Sequence, residues 1–177
     1  MKQAPKESTA GNARRASDPP ALHEKIRPSF DETYMDIVET IARRSTCLRK
    51  KVGAVLVVDN RIISHGYNGV GKGEEHCCDT GVCLKEKRSD EDYKICVHAE
   101  QNAICQGAKR GLAVQEATLY VNADICITCA KLLISCEISR IVIKRDFLGY
   151  LNVLDLLKQY GIKVEEFYPE NSQAEKR

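Results

Sequence analysis

A pair of cysteines at positions 126 and 129 constrains the fold of this chain more than any other feature. When such a pair begins a helix, its thiols lie one turn apart and the positive end of the helix favours the thiolate form. One imidazole, from His98, would complete three protein ligands. Three ligands with an open fourth position are typical of catalytic zinc. The sequence therefore predicts a fold that brings His98, Cys126 and Cys129 to one point.

Glu100 indicates what such a centre would do. Zinc with an open position lowers the pKa of its water to near neutrality, which provides hydroxide as a nucleophile. Glu100 lies two residues after His98, where it is badly placed as a fourth ligand but near enough to move protons. His-x-Glu followed by Cys-x-x-Cys is the pattern of zinc deaminases, in which hydroxide attacks the amino-bearing ring carbon. A redox dithiol or a structural zinc knuckle would use the cysteine pair without needing Glu100.

Composition narrows the class of protein. The 177 residues include nine cysteines and no apolar stretch typical of a signal peptide or a membrane span. A reducing cytosol keeps thiols free, so metal binding explains an odd number of cysteines better than disulfides, and we expect a cytoplasmic protein. The 27 basic and 25 acidic side chains leave a net charge of +2, which is not the broad basic field of a nucleic-acid binder. We therefore expect neither a nucleic acid nor a membrane as a partner.

Hydrophobic periodicity predicts an α/β fold. Helices are expected over residues 30–45, 98–109, 126–136 and 149–160, and strands over 52–58, 61–64, 117–121, 140–144 and 162–167. Ser29, with Glu32 three residues later, is typical of a capping box at the start of the first helix. Strands that alternate with helices in the second half predict parallel pairing. Residues 66–95 form a long predicted loop that needs something to hold it in place.

Composition also divides the chain into segments. Residues 1–28 have almost no aliphatic periodicity, which predicts a disordered N-terminal tail. We expect one folded domain over residues 29–168 and a short C-terminal tail over residues 169–177.

Five segments resemble the deoxycytidylate (dCMP) deaminase family, and they agree with it in order and spacing. They are Val-Gly-Ala-Val at 52–55, Gly-Tyr-Asn-Gly at 66–69, His-Ala-Glu-Gln-Asn-Ala-Ile at 98–104, Thr-Leu-Tyr-Val at 118–121 and Cys-Ile-Thr-Cys-Ala-Lys at 126–131. The resemblance implies a cytidine-deaminase-like three-layer fold, with a mixed five-stranded sheet flanked by helices. It also implies hydrolysis of dCMP to dUMP and ammonia, which supplies dUMP for thymidylate synthesis.

The resemblance implies roles for individual residues. His98, Cys126 and Cys129 would hold catalytic Zn²⁺, and Glu100 would shuttle protons. Implied substrate contacts are Asn68 to the sugar 3′-hydroxyl, the backbone of Ala99 to the base, Lys109 to the 5′-phosphate and Phe147 over the pyrimidine. Each side chain has an ordinary alternative, namely a turn residue at Asn68, a solvated helix-end lysine at Lys109 and a core aromatic at Phe147.

A second metal site is also implied. Cys47, Cys77, Cys83 and Cys96 resemble the additional zinc site of microbial dCMP deaminases, and four thiolates make a closed, structural site. His76 and Cys78 are further residues of the right chemical type, so the choice of four ligands stays open. The alternative is a cluster of reduced cysteines without metal.

Family members commonly form hexamers that dCTP activates and dTTP inhibits, so a homo-oligomer and these effectors are expected. The chain departs from the family pattern in three places. Ile125 replaces the proline before the first cysteine of the pair, Val70-Gly71 replaces a proline after Gly-Tyr-Asn-Gly, and Glu137 replaces a helix-ending glycine.

Two other functions remain open at this point. One is a zinc deaminase of another substrate, namely tRNA adenosine, a polynucleotide cytosine or a free nucleoside. The other is a zinc-stabilised binding protein without catalysis, against which the presence of Glu100 argues.

Overall fold

One mixed β-sheet organises the structure, a computed structural model that describes residues 27–83, 96–144 and 151–168. The strands are β1 (Gly53–Val58), β2 (Arg61–Tyr67), β3 (Thr118–Val121), β4 (Arg140–Ile143) and β5 (Lys163–Glu166), in the spatial order β2-β1-β3-β4-β5. Strand β1 is antiparallel to both of its neighbours, whereas β3, β4 and β5 are parallel. This confirms the predicted mixed five-stranded sheet. The predicted disordered tail, apart from its last two residues, and the predicted C-terminal tail lie outside the described residues.

The helices form two further layers. They are α1 (Phe30–Ala42), α2 (Cys77–Thr80), α3 (Ala99–Ala108), α4 (Ile127–Ser135) and α5 (Leu151–Gln159). Helix α1 packs on one face of the sheet, and α3, α4 and α5 pack on the other. The three-layer fold is therefore confirmed. Among the described helices, none has the length and apolar character needed to cross a bilayer.

Alternation along the strands explains the two cores. Successive strand residues point to opposite faces, so each central strand supplies apolar side chains to both layers. The core beneath α1 contains Tyr34, Met35, Val38, Val55, Val57, Tyr120 and Val142. The core beneath α3, α4 and α5 takes the alternate positions, among them Leu56, Leu119, Val121, Ile141 and Ile143.

The predicted capping box begins α1. The backbone N–H of Ser29 donates to Oε2 of Glu32 at 2.6 Å, and the N–H of Glu32 donates to Oγ of Ser29 at 3.2 Å. The helix ends at Ala42, three residues before the predicted end. Ser45 is buried there, and its hydroxyl donates to Oδ1 of Asn68 at 2.6 Å. That tertiary contact ends the helix before Ser45.

Glu137 occupies the conformation that its family position predicts. Its φ of 54° lies in the left-handed region that favours glycine. Its backbone carbonyl accepts from Glu116 at 2.9 Å, and its carboxylate accepts from Gln115 at 2.7 Å. These contacts offset the backbone strain.

Strand β2 is longer than the sequence predicts. Its buried face has no apolar side chain, so hydrophobic periodicity does not reveal its full length. Ser64 and Gly66 are the buried residues of this strand, and neither has the apolar side chain that reveals a strand in a sequence. A Cβ at Gly66 would lie 2.3 Å from the carbonyl oxygen of Ala99 and 2.4 Å from the backbone nitrogen of Ala103. Helix α3 therefore packs backbone against backbone on β2.

We expect Gly66→Ala to destabilise the protein by about 3 kcal/mol, because the added methyl group overpacks a contact between two backbones. The displaced helix carries His98 and Glu100, so zinc content should fall together with the melting temperature. Gly71→Ala is the matched control, because nothing lies within 4 Å of its Cβ position. Equal melting temperatures for the two variants would contradict the close approach of α3.

Candidate metal centre

Three metal-ligand side chains meet where helices α3 and α4 begin. His98 immediately precedes α3, Cys126 immediately precedes α4, and Cys129 lies in the first turn of α4. Nδ1 of His98 lies 3.4 Å from Sγ of Cys126 and 3.5 Å from Sγ of Cys129. The structure therefore brings together the three residues that the sequence singles out as ligands.

The spacing of these atoms fits zinc. Zn–S bonds of about 2.3 Å and a Zn–N bond of about 2.1 Å in tetrahedral geometry place nitrogen and sulfur about 3.6 Å apart. The three ligand atoms all lie within 4.8 Å of one another, and both nitrogen–sulfur distances are close to the tetrahedral value. Thiolate and imidazole ligands also favour zinc over magnesium or calcium. The set therefore suits a zinc ion with one open position.

Two contacts fix the segment that carries His98. Val97 forms a β-bridge with Gly69, with N···O distances of 2.8 and 3.1 Å. The backbone N–H of His98 donates to Oε1 of Gln101 at 2.9 Å. The chain thus enters α3 at His98 from an anchored extended segment.

A helix cap places the two cysteines. Sγ of Cys126 accepts from the backbone N–H of Cys129 at 3.5 Å, in the position that Ser or Asp takes in other helix caps. Ile125 precedes this cap and is only 1% exposed. Burial of Ile125 therefore anchors the start of α4, where the family pattern usually has proline.

The pKa values of the two thiols shift in opposite directions because the thiols share a proton. A hydrogen bond from Cys129, assisted by His98 and by the backbone N–H of Cys129, lowers the pKa of Cys126 to about 3. The same hydrogen bond, together with burial, raises the pKa of Cys129. A metal ion that binds here displaces the shared proton.

Glu100 lies beside the ligands but is not one of them. It is 3% exposed, and its carboxyl group is hydrogen-bonded to the Cys129 thiol. Burial raises the pKa of Glu100, whereas the hydrogen bonds and His98 oppose that shift. A buried carboxyl group with a raised pKa next to an open metal position is suited to accept and return a proton.

Asn68 uses most of its hydrogen-bonding capacity inside the protein. Its Oδ1 accepts from Ser45 and, at 2.8 Å, from the backbone N–H of Val52, while its Nδ2 donates to the carbonyl of Lys50 at 2.9 Å. One amide hydrogen remains for the predicted sugar contact. The residue pattern assigns no role to Ser45 or to the buried Asn122, although a polar residue directly after a buried strand is a sequence signal at Asn122.

Lys109 lies at the other end of α3 from the ligands. It is the C-terminal cap of α3, eleven residues after His98, which corresponds to about 16 Å along a helix. This placement argues against contact with the phosphate of a nucleotide whose base lies at His98 of the same chain. Ala99 begins α3, with its carbonyl oxygen close to Gly66, so its N–H is the polar group left for a base. Phe147 lies outside the described residues.

The four cysteines of the implied second site do not form a comparable set. Cys77 and Cys83 are buried, and Cys47 and Cys96 are half-buried. Within residues 27–83, 96–144 and 151–168, His98, Cys126 and Cys129 form the one group of three or more ligand atoms within 4.8 Å.

Comparison with known proteins places this geometry in a family. Residues 28–145 match the family model described as the cytidine and deoxycytidylate deaminase zinc-binding region. The chain belongs to this family. The matched region includes all three candidate zinc ligands and Glu100.

Individual relatives give the same result. The ComE operon protein 2 of Bacillus subtilis is 37% identical over 79% of this chain and 72% of its own length. The deoxycytidylate deaminase of Schizosaccharomyces pombe is 31% identical over 84% of this chain, which spans about half (47%) of that relative. The crystal structure of dCMP deaminase from the cyanophage S-TIM5 in complex with dCMP and dUMP is 28% identical, with a TM-score of 0.69 over 80% of this chain and 99% of that one.

We expect zinc to protect Cys126 and Cys129 from alkylation, because ligand sulfurs are not free to react. Cys105 is exposed and lies outside the ligand set, so it should react equally with and without zinc. Mass spectrometry of iodoacetamide-treated apo and zinc-loaded protein resolves the individual cysteines. Equal alkylation of Cys126 in both forms would contradict the zinc centre.

Proposed function

We propose that this protein deaminates dCMP hydrolytically to dUMP and ammonia. The observation that carries this proposal is the buried Glu100, beside three ligand atoms that fit a zinc ion with an open position. A structural zinc site has no need of such a carboxyl group. The family relation and the named activities of the S. pombe and cyanophage relatives support dCMP as the substrate.

Different residues of the chain have different roles in the proposed reaction. When bound, zinc would act as a Lewis acid and lower the pKa of the water that attacks C4 of the cytosine ring. Glu100 takes one proton from the attacking water and delivers it to ring nitrogen N3, then takes the second proton from the hydroxyl group formed at C4 and delivers it to the departing amino group. The N–H of Ala99 is available to a carbonyl of the base. Ammonia and the uracil ring account for all atoms of water and substrate.

We expect Glu100→Gln to lower kcat for dCMP by about a thousandfold, because general acid–base catalysis contributes 10²–10⁴-fold. Zinc content should stay at the wild-type value, since Glu100 is not in the ligand set. Ammonia release from dCMP, deoxycytidine, CMP and adenosine-containing tRNA, with and without dCTP and magnesium, measures the activity.

Preferred turnover of dCMP supports the proposal. Equal turnover of deoxycytidine would overturn phosphate recognition but keep the deaminase chemistry. No turnover of any substrate by zinc-loaded protein would favour the non-catalytic binding protein instead.

We also propose a second, structural zinc ion, held by Cys47, Cys77, Cys83 and Cys96. Three of these cysteines adjoin residues that lie together. Thr46 lies 3.2 Å from a Cβ placed on Gly69, Gly69 pairs with Val97, and His76 lines the same cavity as Thr46 and Gly69. The sulfurs would have to move closer together to share an ion.

Metal analysis should find about two zinc ions per chain if both sites exist. Cys47→Ser should lower this content to about one, and heating should then release residues 66–83 earlier, as measured by hydrogen exchange. Cys105→Ser is the control, because its exposed thiol lies outside both sites. About one zinc ion in the wild-type protein would contradict the second site.

The cavity that Thr46, Gly69 and His76 line is also the proposed site for the effector nucleotides dCTP and dTTP. It measures about 600 Å³ and lies between β2 and the C-terminal end of α3. Its lining includes the basic side chains of Lys72, Lys109 and Arg110 together with Gly66 of β2 and Val70. Clustered cations of this kind suit a triphosphate.

We expect Lys72→Ala to raise the dCTP concentration needed for half-maximal activation by about tenfold, without changing activity in the absence of dCTP. Lys158→Ala, which removes an exposed lysine from α5, is the control. Lys109→Ala distinguishes its two roles, because a substrate contact would raise KM for dCMP without any effector. An unchanged dCTP response in both Lys72→Ala and Lys109→Ala would contradict the effector site.

The remaining proposals concern assembly and location. We propose a homo-oligomer, and specifically a hexamer, which sedimentation measures directly. We also propose a cytoplasmic location, which is supported by nine cysteines that are all free thiols.

A further inference from the structure

Two asparagines flank the first residues of the central strand β1. Asn68 directly follows β2, and Asn122 directly follows β3. The sheet register places Gly53 opposite Tyr67 on one side, and Ala54 opposite Val121 on the other. Continuing each ladder by one residue would pair Val52 with Asn68 and Gly53 with Asn122. At both positions, an asparagine side-chain oxygen instead accepts the hydrogen bond from the backbone N–H.

On the β2 side, a side-chain oxygen replaces the backbone acceptor in one of the two hydrogen bonds of a ladder pair. The backbone N–H of Asn68 donates to the carbonyl of Val52 at 3.0 Å, as in a regular sheet. The return bond from the N–H of Val52 goes to Oδ1 of Asn68 at 2.8 Å. The main-chain carbonyl of Asn68 is thereby free to turn away from β1, and at 2.9 Å it shares the single hydroxyl hydrogen of Ser45 with Oδ1 of Asn68.

On the β3 side, the same substitution occurs one residue later along β1. The N–H of Gly53 donates to Oδ1 of Asn122 at 2.9 Å. The side-chain oxygen thus takes the donor that a main-chain carbonyl would take in a continued ladder. Nδ2 of Asn122 donates to Oε2 of Glu39 at 3.1 Å, and Lys144 pairs with the other oxygen of Glu39 at 2.6 Å.

The chain leaves the sheet at both asparagines, and each exit leads to one part of the zinc centre. After Asn68, Gly69 pairs with Val97, which directly precedes His98. After Asn122, three residues lead to Cys126. The imidazole ligand and the thiol ligands therefore depend on two segments that leave the sheet where the adjacent N–H groups of Val52 and Gly53 bind asparagine side chains.

We propose that Asn68 and Asn122 are positioning residues of the zinc centre, which set the separation of the His98 segment and the Cys126 segment by binding the adjacent N–H groups of Val52 and Gly53. This inference rests on the zinc centre of the proposed function and does not depend on which substrate is deaminated.

The opposite end of α1 provides a comparison. There the hydroxyl of Tyr120 donates to Oδ1 of Asp31 at 2.7 Å, and Arg140 pairs with Oδ2 of Asp31 at 2.7 Å. This network also ties α1 to β3 and β4. Tyr120 points to the same face of β3 as Asn122, two residues earlier, but no chain exit to a zinc ligand begins there. If Asn122 had a purely structural role, loss of either network would affect zinc binding equally.

The experiment measures the free zinc concentration that half-protects Cys126 from alkylation, in zinc buffers and with mass-spectrometric detection. Asn122→Ala and Asn68→Ala should each raise this concentration by about tenfold, as loss of an outer contact to a metal site commonly does. Tyr120→Phe should leave it within about twofold while lowering the melting temperature. Circular dichroism confirms that each variant is folded at the temperature used.

A rescue variant guards against a general loss of structure. Asn122→Asp combined with Glu39→Gln reverses the polarity of their hydrogen bond and keeps the oxygen that accepts from Gly53. This rescue protein should bind zinc within about threefold of the wild type.

Two outcomes would overturn the proposal. One is zinc protection within twofold of wild type in folded Asn122→Ala and Asn68→Ala, and the other is an equal loss in Tyr120→Phe. Absence of zinc protection in the wild-type protein would instead refute the zinc centre. Failure of the positioning role and failure of the deaminase are therefore distinguishable.

Discussion

Helices α3 and α4 must begin at the same point beside the sheet, because the three ligand atoms come from their first residues. His98 and Cys126 precede these helices, and Cys129 lies one turn inside α4. Any rotation of one helix against the other would separate Nδ1 of His98 from two sulfurs that lie only 3.4 and 3.5 Å away. Two features meet this requirement, namely the close packing at Gly66 and the fixed points, Asn68 and Asn122, at which the chain leaves the sheet. Each limits where a helix can begin.

The centre contains groups that are costly to bury without a metal. Glu100 is almost fully buried, where its raised pKa favours the neutral carboxyl group, and the half-buried Cys126, with its pKa lowered to about 3, carries negative charge as a thiolate. The hydrogen bond between the two thiols offsets part of this cost by sharing one proton. A divalent cation neutralises the thiolates and leaves the Glu100 carboxyl group free for proton transfer. Binding of zinc and stability of the fold should therefore be coupled.

Polar contacts fix α1 at both ends. Asp31, Tyr120 and Arg140 form one network near its start, and Glu39, Asn122 and Lys144 form the other near its end. Between them the helix is buried against β1 and β3 by Tyr34, Met35 and Val38. Hydrophobic burial places α1 on its face of the sheet, whereas the directional contacts determine its position along the strands. The network near its end also adjoins the segment that leads from Asn122 to Cys126.

The ligand residues, the order of the strands and the four longer helices, and the parallel pairing in the second half could be predicted from the residue pattern, whereas the short helix α2 lies inside the predicted loop. His98, Glu100, Cys126 and Cys129 carry chemistry that short spacing reveals, and periodicity reveals an element whenever one of its faces is apolar. The end of α1, the length of β2 and the roles of Ser45, Asn68 and Asn122 depended on the assembled protein. Strand β2 packs through Ser64 and Gly66, which give no hydrophobic signal. The asparagine amides bind the backbone N–H groups of Val52 and Gly53, which lie 16 and 69 positions away in the chain. A side chain that replaces a ladder hydrogen bond has no local signature, because its partner is identified only when the sheet register is set.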